Sequence, residues 1–168
     1  MIKIEECKEL MLKAKKILKN NWVGNSTKPA PHLYPHKWNW DSGFISIGYS
    51  HYDQEKAQKE LLSLFKGQWK NGMLPHIIYN PNIKEDYFPN PDFWEIDKSS
   101  NAPSNLKTSG ITQPPIHATA ALKIYENSMD KLEAKNFLKE IFPKIKKLHS
   151  YLYKYRDPKE ANHSGVLK

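Results

Sequence analysis

The sequence predicts an all-α protein whose helices, about five of them, alternate between an outer ring facing water and an inner ring screened from it. Three observations carry this expectation. Apolar residues recur at three- and four-residue steps in several stretches, the period of a helix with one buried face. Stretches with lysine along one side alternate with stretches that carry almost no charge, and a helix without a polar face is one buried all round. Composition removes the alternatives. The 168 residues are 39% hydrophobic and 26% charged, with five Trp and nine Tyr, an aromatic supply that a disordered chain lacks. No apolar run approaches the ~18 residues of a membrane span.

The first helix is expected over residues 2–20. Cys7, Leu10, Met11, Ala14, Ile17 and Leu18 share a face there, with lysines opposite. Asn20 and Asn21, then Pro29, Pro31 and Pro35, end it in a long loop. A short second helix is expected from about Asp41 to His51. Asp53 then caps a third, on which Ala57, Leu61, Leu64, Phe65 and Gln68 line up. Residues 69–111 hold five prolines and no firm period, and a connection of that length points to a functional or site-covering segment. A fourth helix is expected from Gln113-Pro114-Pro115, with proline in its first turn. The fifth starts at Asp130, with Glu133 completing a capping-box-like pair, and runs to about Tyr155. Pro143 should kink or split it.

Helices one, three and five are the lysine-rich ones. Helix two has no charge after Asp41, and helix four has none before Lys123. A plain bundle would make every helix amphipathic, so the alternation favours two rings. Five helices in 168 residues imply roughly 400 residues for twelve, which makes this chain about two fifths of such a structure.

A net charge of +8 raises the question of nucleic acid. Arg156 is the only arginine, however, and the lysines track helix surfaces, the pattern of a solvated face. No partner of nucleic-acid or membrane type is expected. Neither is a cofactor or a metal, because the sequence lacks a phosphate loop, a Gly-x-Gly-x-x-Gly run, a cysteine pair and zinc-type histidine spacing. The lone Cys7 and a start without an apolar signal core point to a reducing cytoplasm.

Unusual residues cluster where the two uncharged helices begin. Tyr34, Trp38 and Trp40 offer flat apolar faces with one polar atom each, a surface suited to the C–H faces of a sugar. Asp41 can accept two hydroxyl hydrogens, while His76 and Gln113 can donate and accept. The plainer alternatives stay open at this point: the two tryptophans as core anchors and Asp41 as a helix cap. His32, His36, His51, His117 and His149 are read as structural. Asp92/Glu95 and Glu5/Glu6, the remaining carboxylate pairs, lack an aromatic wall and are read as surface.

Three segments taken in order, Tyr34-Pro35-His36-x-Trp38-x-Trp40-Asp41-Ser42, Gly72-Met73-Leu74-Pro75-His76 and Ser109-Gly110-Ile111-Thr112-Gln113-Pro114-Pro115, resemble the mannosylglycerate hydrolase-like branch of glycoside hydrolase family 63. Glu60-Leu61-Leu62-x-Leu64-Phe65-x-x-Gln68 is similar to that family as well. The resemblance runs over roughly residues 5–157. It implies an (α/α)6 barrel, inverting hydrolysis of α-glycosidic bonds, and a substrate-binding role for Tyr34, Trp38, Trp40, Asp41, His76 and Gln113. The substrate it implies is a small α-linked sugar or glycosyl-glycerate.

One departure is large. The family's general acid lies in a Glu-Ser-Gly-x-Asp-Asn-Ser type segment and its base further on, and neither segment is present. The expectation is therefore an N-terminal portion, residues 1–168, of a single catalytic domain, without a catalytic residue of its own and with the remaining part as partner. A non-catalytic carbohydrate-binding or vestigial fragment is the alternative. Either way, the uncharged helices and the Trp38/Trp40 cluster should be partly exposed.

Overall fold

Asp53 and Asp130 cap the helices that the sequence assigns to them. In the computed structural model, which describes residues 4–83 and 87–156, Asp53 Oδ1 accepts the Lys56 N–H at 3.0 Å. Asp130 Oδ1 accepts the N–H groups of Leu132 and Glu133, each at 2.9 Å. These carboxylates satisfy amides that have no partner within the helix. Residues 157–168 lie outside the described residues.

Among the described residues the elements are α1 (Ile4–Asn21), β1 (Lys37–Trp38), α2 (Asn39–Ser50), α3 (Gln54–Leu64), β2 (Ile77–Ile78), α4 (His117–Asn127) and α5 (Lys131–Tyr151). Short 3-10 turns occupy Phe65–Gly67, Asp92–Trp94 and Ile96–Lys98, and a wider π-type turn follows α5 at Leu152–Arg156. The long connection thus contributes one strand. β2 pairs antiparallel with β1, with Trp38 opposite Ile77 and Lys37 opposite Ile78.

α2 packs against α3 and α4, and α4 packs against α5. That is the order of a two-ring all-α barrel seen in one sector: α2 and α4 lie side by side, and each is backed by the helix that follows it. The shared core includes Tyr49, Leu61, Leu64, Ala120, Ile124, Phe137, Ile141 and Leu148. α2 approaches the start of α4 so closely that a Cβ at Gly43 would overlap the Ile116 side chain. Apart from Asn39 and Tyr49, the rest of its buried face is small and hydroxylated, with Ser46 and Ser50 turned back onto the carbonyls of Gly43 and Ile47 at 2.7 Å.

Two expectations about boundaries change. α4 begins at His117 rather than near Gln113, because each residue that precedes a proline is driven out of the α region, and Gln113 and Pro114 both do. α5 runs unbroken past Pro143. Lys139, whose carbonyl loses its partner there, is exposed like Pro143 itself, so water can take the bond.

The uncharged helices are not enclosed on every side. Trp40 and Phe44 on α2 are 44% and 50% exposed, and Leu122 on α4 is 50% exposed, since this sector supplies neighbours on one side only. α1 is the loosest element. It docks through Leu18 and the following Trp22, with Tyr49 Oη donating to the Leu18 carbonyl at 2.9 Å. Leu10, Met11 and Ile17 on its apolar face stay more than half exposed.

Candidate sugar-binding wall

β-pairing does the first part of the assembly. By setting Trp38 against Ile77, it brings the Trp38 ring to 5.0 Å from that of His76, edge to face at 83°. Tyr34 also meets Trp38, at 4.8 Å and 80°, and His76 also meets Trp94, at 5.8 Å. Four rings from three distant stretches are therefore linked in one row of contacts, each pair in the edge-to-face geometry that aromatic quadrupoles favour.

Backbone hydrogen bonds fasten the segments to one another. The His76 N–H donates to the Ile111 carbonyl at 2.8 Å, and the Asn39 N–H to the His76 carbonyl at 3.0 Å. The Ser109 N–H donates to the Ile77 carbonyl at 3.0 Å. Asn39, fully buried, adds a side-chain bolt, with Nδ2 donating to the carbonyls of Leu74 and Pro75 at 3.1 and 3.0 Å. Gly72 makes the turn before Met73 possible. Its φ is +103°, and a Cβ there would strike the Lys147 carbonyl.

Gln113 joins from the third segment, its Oε1 accepting the Trp40 N–H at 2.9 Å. Because a backbone N–H only donates, this fixes the amide orientation and leaves the Nε2 hydrogens without a partner among the described residues. The Trp40 ring does not join the row; it stacks on Phe44 at 5.5 Å on the open face of α2. Asp41 sits in the first turn of α2 but does not cap it, since the helix already starts at Asn39. Burial pushes its carboxyl above the ordinary aspartate value, opposed only by its own backbone N–H. His76 goes the other way, its pKa lowered by burial.

Several supporting residues were not apparent from the sequence. Fully buried Glu60 accepts from Lys37 Nζ at 3.2 Å and from Ser42 Oγ at 2.7 Å. Lys37 also donates to the Glu60 carbonyl and to Ser63 Oγ, at 2.8 and 2.7 Å. Burial lowers the Lys37 pKa and the Glu60 charge opposes that fall. This pair braces the two residues adjoining Trp38 and Asp41. Trp94 was missed because Asp92 and Glu95 drew attention to charge. Those two carboxylates are exposed as expected, yet an aromatic pair stands between them, with Phe93 edge-to-face on Trp94 at 5.0 Å.

The histidines read as structural divide by place. His36 is buried between the Tyr79 and Tyr87 rings, at 4.9 and 4.6 Å, beside a cavity of about 510 Å³. His117 is fully buried against Phe65, and burial lowers its pKa to about 4. Among the described residues no group of three or more His, Cys, Asp or Glu side chains could hold a metal ion, and no helix is long and apolar enough to cross a membrane.

Comparison with known proteins puts this geometry in context. Residues 34–163 match the family described as the mannosylglycerate hydrolase MGH1-like glycoside hydrolase domain. The chain is 46% identical over 154 residues to a mannosylglycerate hydrolase of Rubrobacter radiotolerans, covering 92% of this chain and 35% of that protein. It is 39% identical over 158 residues to a glucosylglycerate hydrolase of Mycolicibacterium hassiacum, covering 90% and 35%. Among solved structures it superposes, with a TM-score of 0.73 at 42% identity, on a GH63 mannosylglycerate hydrolase from Thermus thermophilus in complex with glucose, covering 89% and 34% of the two chains. The chain thus spans about a third of the length of the relatives it matches.

Proposed function

Since the chain belongs to the mannosylglycerate hydrolase MGH1-like glycoside hydrolase family, we propose that Tyr34, Trp38, Trp40, Asp41, His76 and Gln113 form part of the sugar-binding wall of an inverting α-glycoside hydrolase. On this reading residues 1–168 are the N-terminal portion of a single (α/α)6 catalytic domain, and its substrate is a small α-linked glycoside of the mannosylglycerate or glucosylglycerate kind. The observation that carries it is the joining of three distant segments, through the Trp38–His76 ring contact at 5.0 Å and the Trp40 N–H bond to Gln113 at 2.9 Å. The rings supply apolar faces for the sugar ring, Asp41 accepts from its hydroxyls, and Gln113 donates to them. A cytoplasmic location belongs to the same reading, since the lone Cys7 gives the chain no disulfide to maintain.

Inverting hydrolysis needs an acid and a base carboxyl ~6.5–9.5 Å apart with a water between them. Asp41 is the only carboxylate in the proposed wall, while Asp92 and Glu95 lie on the exposed surface. The second reading, sugar binding without cleavage by this chain alone, draws on that observation. Titration with glucose or mannosylglycerate, followed by tryptophan fluorescence, should give a saturable response that Trp40→Ala and Asp41→Ala abolish. Glycerate release by the isolated chain should not occur. A chain silent to every sugar would sink both readings, and release of glycerate would sink the second.

A further inference from the structure

Ser109 is fully buried and lies where the second and third segments meet. Its Oγ accepts the Ile77 N–H at 3.0 Å and stands 2.8 Å from His76 Nδ1. The hydroxyl hydrogen has two possible destinations, Nδ1 or the Ile111 carbonyl at 3.4 Å. That carbonyl already accepts the His76 N–H at 2.8 Å, and 3.4 Å is outside the ordinary range of an O–H···O bond. The hydroxyl therefore donates to Nδ1, which must be the bare nitrogen of a neutral ring. The proton of that ring then resides on Nε2. Among the described residues this nitrogen has no hydrogen-bond partner, and unlike Nε2 of His36 it is not among the buried, unpartnered atoms.

We infer that Ser109 is a positioning residue that holds the buried His76 imidazole as its Nε2–H tautomer, so that the ring presents a fixed hydrogen-bond donor to an oxygen of the bound sugar. The inference rests on the sugar-binding reading above and adds a polarity to it. Gln113 is set the same way, because the Trp40 N–H occupies its Oε1 and leaves its Nε2 hydrogens to donate. The wall thus offers donors at His76 and Gln113 and an acceptor at Asp41. A matching ligand places bare oxygen lone pairs toward the first two and a hydroxyl hydrogen toward the third. The opposite tautomer would give Ser109 Oγ two N–H donors, leave its own hydrogen with the long Ile111 contact, and make Nε2 an acceptor.

Long-range 1H–15N NMR of the 168-residue chain labelled in histidine decides the matter before any sugar is added. The His76 signal is assigned by its loss in His76→Asn. The expected spectrum shows Nε2 protonated and Nδ1 bare. In Ser109→Ala the ring should populate both tautomers, with glucose affinity falling about 3- to 10-fold, the worth of one hydrogen bond. Ser109→Thr should restore the signature. A protonated Nδ1 in the parent chain, or an unchanged tautomer in folded Ser109→Ala, overturns the inference. Should Ser109→Ala fail to fold, the parent spectrum still decides. The expected tautomer in a chain that ignores glucose upholds the role of Ser109 and rejects the sugar-binding reading instead.

Discussion

Asp41 shows how a residue proposed to bind sugar can work against its own fold. Burial raises its folded-state pKa above the ordinary value of 3.8, so the ionised form is the one the fold penalises. Above that raised pKa the charge subtracts from stability, and below the unfolded pKa both states are neutral and the penalty vanishes. Asp41→Asn should therefore raise the melting temperature at neutral pH, with the gain shrinking as the solution is acidified. The same variant should lose its fluorescence response to sugar, because the amide puts a donating NH2 where the carboxylate has its second accepting oxygen. A lower melting temperature at pH 7 would show that Asp41 is a stabilising residue instead. The chemistry of Asp41 was legible in its neighbours, Trp38, Trp40 and Ser42. The chemistry of Ser109 was not, because its partner lies 33 residues away and a serine in a Ser-Gly pair otherwise signals only a turn.

At the scale of elements, what could be read depended on range. The caps of α3 and α5 are set by residues within three positions of the amides they serve, and both were expected. The tie between β1, α2 and α3 is not local. Lys37 and Glu60 lie 23 residues apart and Ser42 and Glu60 lie 18 apart, so neither the helical period nor the charge pattern reveals them. Glu60 instead reads as one more surface acid on a lysine-rich helix. Removing one member of a buried pair leaves the other charge without a counterion, a cost of about 3–5 kcal/mol. Glu60→Ala should lose stability on that scale by urea denaturation. Lys37→Met combined with Glu60→Leu should recover much of the loss, because two apolar side chains leave no charge stranded. No recovery in the double variant would mean that the hydroxyls of Ser42 and Ser63, rather than the ion pair, set the cost.

For the whole molecule, the exposed apolar surface decides behaviour in solution. Leu10, Met11 and Ile17 on α1, Trp40 and Phe44 on α2 and Leu122 on α4 are each more than two fifths exposed. Covering a large aliphatic or aromatic side chain gains about 1.5–3 kcal/mol, so the chain should associate despite its charge of +8. Sedimentation velocity should show mass above the 19.6 kDa of one chain. Leu10→Glu with Ile17→Glu should reduce it at little cost in melting temperature, since these side chains have few contacts to lose. A monomeric parent chain with a cooperative high-temperature melt would contradict this. The ring-in-ring order was legible because charge alternates between helices. Which side of each inner helix stays open was not, since Ser42, Ser46 and Ser50 lie on the buried face of α2 while Phe44 looks outward.

The fastening of the wall has an evolutionary consequence. Three of the bonds that hold its segments to one another are purely main-chain: His76 to Ile111, Asn39 to His76, Ser109 to Ile77. Main-chain bonds survive most substitutions, so the side chains that meet a ligand can drift while the frame beneath them persists. On the proposed reading a change at Gln113 alters what is recognised, and the Trp40 amide it releases, at a helix start, can turn to water. If the wall binds sugar as proposed, ligand preference and architecture are written in different atoms, and a lineage carrying this frame can change its sugar one side chain at a time.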